Sequence, residues 1–216
     1  LSDGNGLFLD KVNPYEFASR IISIVREEGD AGLRRINSFL DASSPDSFEV
    51  SQPDIDDALD LLDPVSRSAL ELAADRVRKF QSRGLPKSWN DHNSQYGERV
   101  IPLKSVAAYV PGGTAPLAST VIMTVVPARV AGVDEVIIAT PVAGNSMPHP
   151  AVLAAAKIAG ASRVFKLGGA QAIAALAYGT ESVPAVDLIC GPGNTWVTAA
   201  KKLVFGDVGI DGLFGP

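Results

Sequence analysis

Three short glycine-rich stretches carry the side chains best suited to hold a nucleotide. They are Tyr109-Val110-Pro111-Gly112-Gly113, Gly168-Gly169-Ala170-Gln171 and Gly191-Pro192-Gly193-Asn194. Glycine lets a ligand approach the backbone closely, and the free N–H groups at the start of a following helix attract phosphate. None of the stretches matches G-x-G-x-x-G, so the usual dinucleotide fingerprint is absent. One such stretch is more often only a tight turn, but three at one edge of a sheet favour a nucleotide-sized ligand.

The polar side chains of these stretches also have ordinary structural interpretations. Tyr109 could equally cap the core, Gln171 could bond to the backbone, and Asn194 stands where a helix N-cap is expected. Cys190 closes an apolar strand and is interpreted as a packing residue rather than a nucleophile. The residues alone therefore indicate a nucleotide-binding unit and do not identify a reaction.

The composition excludes several other classes of protein. The 216 residues carry a net charge of −5, so no general attraction to nucleic acid is expected. A single cysteine excludes an internal disulfide framework and suits a reducing compartment such as the cytoplasm. His92 and His149 lack a second ligand at metal-binding spacing. The start of the chain has no signal-peptide pattern, and the longest apolar stretch, residues 117–133, contains too many interruptions to predict a membrane span.

An alternation of strands and helices must position the three stretches. Strands are predicted at Val106–Val110, Glu135–Thr140, Val164–Leu167 and Asp187–Cys190. The helices that follow them are predicted at Pro116–Val130, Pro150–Ile158, Ala170–Tyr178 and Thr195–Val204. Almost continuously apolar strands that alternate with helices indicate an α/β fold, a Rossmann-like parallel sheet covered by helices on both faces. Right-handed crossovers then place every strand's carboxyl end at the same edge, where ligands of such sheets bind.

A mainly helical region is predicted before this sheet. Residues 1–100 carry 30 charged residues, against 13 in residues 101–216, so we divide the chain into a helical region, 1–102, and a Rossmann-like domain, 103–216. The helices of the region 1–102 are predicted from Pro14 to a stop at Gly29, and at Ala31–Leu40, Asp54–Leu62 and Pro64–Ser82. In the last helix, the side chains expected to turn inward are Leu70, Leu72, Ala73, Val77 and Phe80. The aspartates between residues 54 and 63 lack the glycine and terminal glutamate of a calcium loop and are interpreted as a solvated helix face.

The glycine-rich stretches closely resemble histidinol dehydrogenase. The motifs that carry the resemblance are residues 109–116, 168–184 and 191–194, in the family's order and spacing, together with residues 25–30. The resemblance implies a cytoplasmic, zinc-containing homodimer that oxidises the small molecule L-histidinol to L-histidine through an aldehyde, with NAD as cofactor. It implies that Tyr109, Gln171 and Asn194 contact NAD, and that Pro111 and Pro192 hold the loops around it rigid.

The printed sequence ends before the segment in which this family supplies its zinc ligands and its general base. The resemblance thus implies that the zinc ligands lie beyond Pro216 and that this chain contains no catalytic residue. We expect the chain by itself to be inactive, to bind little zinc and to self-associate through uncovered apolar surface. Compared with the family, Phe214-Gly215-Pro216 replaces a more usual Ala-Gly-Pro, and Phe214 is interpreted as a neutral substitution. Two alternatives stay open: a nucleotide-binding or interaction module without catalysis, and a related NAD-dependent dehydrogenase of another small alcohol.

Overall fold

Three helices form the first part of the protein. The computed structural model describes residues 13–40, 44–112, 116–142 and 146–215, so Gly113 of the first predicted glycine pair lies outside the described residues. The helices are α1 (Pro14–Leu40), α2 (Gln52–Asp57) and α3 (Pro64–Arg83). Side-chain oxygens of Asn13 and Asp63 accept hydrogen bonds from first-turn N–H groups of α1 and α3, as expected for N-caps before proline.

The predicted interruption at Gly29 is confirmed: this residue has the non-helical angles φ 56° and ψ −132°, and a second helical segment of α1 continues from there to Leu40. α2 differs from the prediction, because it ends at Asp57 rather than Leu62.

The buried face of α3 is narrower than predicted. Leu70, Ala73 and Val77 pack against the core, but Leu72 is 50% exposed and Phe80 is 75% exposed. Leu72 lies about 200° around the helix from Leu70, and so on the opposite side. Val77 is the last residue of α3 in contact with the core, and Phe80 lies beyond it along the helix. The predicted inward positions of Leu72 and Phe80 are therefore wrong.

Residues 88–99 contain a hairpin that the sequence did not predict. Strand β1 (Trp89–Asp91) pairs antiparallel with β2 (Tyr96–Glu98). The rings of Trp89 and Tyr96 meet edge to face at 5.6 Å across the pair. Such cross-strand aromatic contacts stabilise a hairpin whose other residues are polar. The hairpin was missed because its strands are short and largely exposed.

The second part of the protein is a five-stranded parallel sheet. Its strands are β3 (Ser105–Tyr109), β4 (Glu135–Ala139), β5 (Arg163–Phe165), β6 (Leu188–Cys190) and β7 (Gly209–Ile210), in the spatial order β5-β4-β3-β6-β7. The helices between them are α4 (Ala118–Val130), α5 (Pro150–Ala159), α6 (Gly169–Tyr178) and α7 (Thr195–Val204). Every predicted strand and helix of this part is present, with bounds shifted by at most two residues. β7 was not predicted because two residues are too few for a pattern.

Helices cover both faces of the sheet, which confirms the predicted fold class. Val106 and Ala108 of β3 point toward α4 and α5, whereas Ala107 and Tyr109 point toward α6 and α7. This alternation is the two-residue period of a strand buried on both sides.

None of the helices in the described part of the chain has the length and apolar character needed to cross a bilayer. The division into two domains at residue 102 stays a prediction.

The sheet reverses its winding direction between β3 and β6. The chain moves outward from β3 to β4 and β5, and then returns past β3 to form β6 and β7. β3 consequently lies between β4 and β6 and is parallel to both. In open α/β sheets, ligands bind beyond the carboxyl ends of the strands at such a reversal. The fold thus places its best ligand position beyond Tyr109 and Cys190.

Helix α1 packs directly on this unit. Its buried side chains, among them Ile21, Val25 and Leu33, lie in one core cluster with residues of α6 and α7. A polar latch just after the kink fixes it in place: Asp30 accepts hydrogen bonds from the Thr180 hydroxyl at 2.6 Å, from the Ser182 N–H at 3.3 Å and from the Ser182 hydroxyl. Residues 25–30 and 179–184 both belong to motifs that carry the family resemblance. They are in contact although 150 residues separate Asp30 from Thr180.

The Asp30 latch makes stability depend on pH. Burial by itself would raise the pKa of Asp30, but the hydrogen bonds from Ser182 and Thr180 outweigh it and lower the pKa below the ordinary 3.8. A carboxyl whose pKa is lower in the folded state adds stability above its unfolded pKa and loses it as the pH falls through its folded pKa. Asp30→Asn should reduce the free energy of unfolding by about 1–2 kcal/mol at pH 7, and by less near pH 3. Urea unfolding at both pH values measures the difference.

Asp60→Asn is the control, because Asp60 is an exposed carboxylate in the turn after α2. It should change the free energy of unfolding by less than about 0.5 kcal/mol. Equal losses for the two variants, or a loss at Asp30 that is the same at both pH values, would show that the latch does not hold α1.

Candidate functional site

A cavity of about 360 Å³ lies at the carboxyl end of the sheet, at the reversal between β3 and β6. This volume is within the range of small-molecule sites. Four of the five predicted site residues line it: Tyr109, Pro111, Gln171 and Asn194. The fifth, Pro192, is half-buried in the loop after β6 and is not among the lining residues. The three glycine-rich stretches thus meet at one place, as the common strand edge requires.

Tyr109 connects the end of β3 to the start of α6. Its side chain is 3% exposed, and its hydroxyl accepts a hydrogen bond from the Gly169 N–H at 3.1 Å. The tyrosine therefore both closes the core and forms a wall of the cavity, so the two interpretations of this residue are compatible.

Gln171 lies on the first turn of α6 and is 3% exposed. Its Nε2 donates a hydrogen bond to Oδ1 of Asn37, 3.2 Å away on α1. Its Oε1 is buried and has no hydrogen-bond partner within the described part of the chain. A buried acceptor without a partner is destabilising by about 1–3 kcal/mol, which makes it a natural contact for a bound donor.

Asn194 is the N-cap of α7, as its position predicted. Its Oδ1 accepts hydrogen bonds from the N–H groups of Trp196 and Val197, each at 3.1 Å. The cap uses the carbonyl end of the side chain, so the amide nitrogen of this exposed residue is the end that can donate to a ligand.

Several lining residues were missed by the sequence interpretation. Phe17 and Leu40 come from α1, Trp196 from α7, and Pro141 from the loop after β4. The Phe17 and Trp196 rings meet edge to face with centroids 4.9 Å apart, forming an aromatic wall. Pro141 could have been found, since it directly follows a strand end at the same edge. The contribution of α1 has no local signal, because it depends on how a distant helix packs.

The loop that carries Asn194 is held by the ion pair between the buried Lys201 and the exposed Asp211, here called the Lys201–Asp211 clamp. Lys201 is fully buried, and its Nζ donates to the Gly191 carbonyl at 3.0 Å and to the Asp211 carboxylate. Asp211 also accepts from the Gly191 N–H at 2.8 Å. Gly191 has φ 102°, and a Cβ there would lie 2.2 Å from the Tyr109 carbonyl oxygen, so only glycine fits. The pair and the glycine together fix where β6 ends beside β3.

Cys190 is the residue before this clamp and is half-buried. Burial, reinforced by the nearby Asp211 carboxylate, raises the pKa of its thiol to about 12. The thiol stays protonated at neutral pH and is a poor nucleophile, in line with its interpretation as a packing residue.

The histidines have no metal-binding arrangement in the described residues. No group of three or more His, Cys, Asp or Glu side chains that could hold a metal ion is found there. His149 caps α5, with its Nδ1 accepting from the Ala151 N–H at 3.1 Å. His92 lies in the turn of the β1–β2 hairpin. We assign neither residue to a metal.

A larger cavity, of about 730 Å³, lies on the other face of the sheet beside α4. Its walls are mostly apolar and include Ile101, Leu103 and Met123. It is larger than the cavity at the strand ends, but it lacks the helix N-termini and convergent amide groups found there. Because a ligand-binding site needs convergent polar groups as well as volume, the smaller cavity is the better candidate for the functional site.

Comparisons with known proteins converge on one family. A family model described as histidinol dehydrogenase matches residues 10–216. The chain is 50% identical over 203 residues to the histidinol dehydrogenase of Thermus thermophilus, covering 93% of this chain and 48% of that protein. It is 47% identical over 200 residues to the one from Oceanobacillus iheyensis, covering 91% and 47% respectively.

A solved structure agrees with the sequence comparisons. The crystal structure of histidinol dehydrogenase from Elizabethkingia anophelis has a TM-score of 0.89 to this fold at 30% sequence identity. The likeness covers 95% of this chain and 48% of that chain. The chain spans about half the length of the curated relatives it matches.

Removing the carboxylate from the Lys201–Asp211 clamp should be costly, because the lysine is fully buried. Asp211→Ala would leave the Lys201 ammonium buried beside the Gly191 carbonyl alone, and we expect a loss of about 3–5 kcal/mol in the free energy of unfolding. Asp211→Asn, which keeps an oxygen for Lys201, should lose less. Urea unfolding measures both.

Asp207→Ala serves as a matched control for the clamp, because the exposed Asp207 accepts only a surface hydrogen bond from the Tyr178 hydroxyl, at 2.7 Å. Its loss should stay near or below about 1 kcal/mol. A loss for Asp211→Ala no larger than this would mean that the pair does not hold the Gly191 loop.

Proposed function

Because this chain belongs to the histidinol dehydrogenase family, as its motifs predicted, we propose that it forms the NAD-binding part of an enzyme that oxidises L-histidinol to L-histidine through an aldehyde. NAD supplies a hydride acceptor for each of the two oxidations. The role of the described residues is to bind and orient that cofactor. A dehydrogenase of another small alcohol would use the same cavity, so the substrate is proposed from the family alone.

One observation carries the proposal. Tyr109, Gln171 and Asn194 belong to three separate loops, and all three line the cavity at the reversal of the sheet. They are also the three residues that the family resemblance implies as NAD contacts. Neither the resemblance nor the geometry depends on the other, so their agreement supports the assignment.

The cavity offers groups suited to each part of a dinucleotide. The Gly169 N–H of α6 donates to Tyr109, but the N-cap Gly168 has no side chain, so the helix dipole and the next N–H groups are suited to a phosphate. The aromatic wall of Phe17 and Trp196 can pack against a flat ring. Gln171 provides an acceptor and Asn194 a donor for the hydroxyl and amide groups of the ligand.

The two prolines would support the site in different ways. Pro111 lines the cavity and lies two residues after the end of β3 at Tyr109. Pro192 follows the clamped Gly191 and would limit the freedom of the loop before Asn194. We propose Pro111 as a wall of the site and Pro192 as a stiffener of the loop.

The remaining implications of the family stay proposals. The described residues do not offer a ligand set for zinc, so no step of the reaction is assigned to zinc through them. A homodimer and a cytoplasmic location are likewise expected from the resemblance.

NAD binding at Asn194 can be separated from helix capping. Asn194→Asp keeps an oxygen for the N-cap, and its negative charge suits a helix N terminus, so stability should be unchanged. It removes the amide donor and places a negative charge beside the cofactor, so we expect NAD affinity to fall about tenfold. Calorimetric titration of NAD into the purified protein, with thermal unfolding in parallel, measures both.

The matched control is Asp63→Ala. It removes the N-cap of α3, away from the cavity, and should lower stability by about 1 kcal/mol without changing NAD affinity. Unchanged affinity in Asn194→Asp would overturn the assignment of Asn194. No NAD binding by the unaltered protein would overturn the proposed function.

A further inference from the structure

Asn37 is a buried polar residue on an otherwise apolar face of α1. It is 5% exposed, and its neighbours on that face include Leu33 and Ile36, which are buried in the core. Burying an amide among apolar side chains is unfavourable unless the amide is hydrogen-bonded. The Asn37 Oδ1 accepts from Gln171 Nε2, 134 positions along the chain. Asn37 is not among the residues that the family resemblance implies as contacts.

The hydrogen bond decides which end of the Gln171 amide faces α1. A glutamine amide has a donor end and an acceptor end. Since Asn37 presents an oxygen, the Nε2 end turns toward α1 and the Oε1 end turns away from it. Oε1 lies against Gly169, where a Cβ would come within 2.6 Å of it. Both Gly169 and Gln171 line the cavity.

We propose that Asn37 is a positioning residue that orients Gln171, so that the Gln171 Oε1 accepts a hydrogen bond from an N–H or O–H group of the bound dinucleotide. The inference rests on the proposed function and specifies the chemistry of one contact: the ligand group at this point is a donor. The oriented Oε1 is buried and has no partner within the described part of the chain, so the fold leaves an acceptor that a bound donor would satisfy. In the absence of ligand the acceptor is unsatisfied, which favours the bound state.

A purely structural role for Asn37 predicts different behaviour. If the amide pair only joins α1 to α6, Asn37 affects ligand binding through general loosening of the cavity. That effect would persist when Gln171 is absent. If Asn37 acts by orienting Gln171, its effect on binding disappears once Gln171 has no amide to orient. A double-mutant cycle distinguishes the two.

The cycle uses Asn37→Leu, Gln171→Met and the double variant, since both replacements keep the approximate volume of the side chain. The protein at its natural length is titrated with NAD by calorimetry, and thermal unfolding is followed in parallel. We expect Asn37→Leu to weaken NAD binding about five- to tenfold. The double variant should bind NAD no more weakly than Gln171→Met.

Ile36→Val is the matched control, because Ile36 adjoins Asn37 on α1 and is buried to the same degree, 4% against 5% exposed. It should lower the melting temperature without changing the NAD dissociation constant. A comparable loss of affinity in Ile36→Val, or a loss from Asn37→Leu that persists in the Gln171→Met background, would overturn the positioning role. Absence of NAD binding in the unaltered protein would instead overturn the proposed function itself.

Cofactor analogues test the donor. Each probe lacks one donor of NAD: 3-acetylpyridine adenine dinucleotide lacks the carboxamide N–H, nicotinamide hypoxanthine dinucleotide lacks the adenine amino group, and deoxy-NAD analogues lack one ribose hydroxyl. We expect one of them to bind the unaltered protein about five- to tenfold more weakly than NAD, with no such difference in Gln171→Met. If every analogue loses the same affinity in both proteins, Gln171 does not accept from the ligand.

Discussion

The close approach of two backbones at the centre of the sheet sets the geometry of the carboxyl edge. Gly191 lies so near the Tyr109 carbonyl that a side chain cannot be accommodated there. The Lys201–Asp211 clamp keeps it in this position, because Asp211 accepts from its N–H and the buried Lys201 donates to its carbonyl. Because β3 and β6 are neighbours at the reversal of the sheet, this contact determines how far apart the loops that follow them begin. The width of the candidate site therefore depends on the backbone contact between Gly191 and Tyr109.

Helix α1 completes a site that the parallel sheet only begins. The strand ends and the N termini of α6 and α7 supply three sides of the cavity, while Phe17 and Leu40 supply a fourth. The Asp30 latch and the apolar face of α1 fix that helix against α6 and α7. The position of Asn37 beside Gln171 follows from this docking. The N-terminal helix thus lines the candidate site as well as packing in the core.

The polar groups of the candidate site are of the kinds that bind a nucleotide. The described residues provide amide donors and acceptors, helix N-termini and aromatic rings, which are suited to holding a nucleotide. The Cys190 thiol beside them stays protonated because burial raises its pKa. These groups support the proposed role of the chain in binding the cofactor.

The sequence by itself determined the alternation of strands and helices, the common edge of the strands and four of the residues at the cavity. These features are local, because apolar runs, proline and asparagine at helix starts, and glycine after strands act over a few residues. Only the tertiary structure decided that Asn37 meets Gln171, that Lys201 and Asp211 clamp Gly191, and that Leu72 and Phe80 are exposed. Each of these depends on which distant surface packs against a given helix face. Local patterns cannot specify such a choice, since the free energy that makes it comes from burying whole surfaces together.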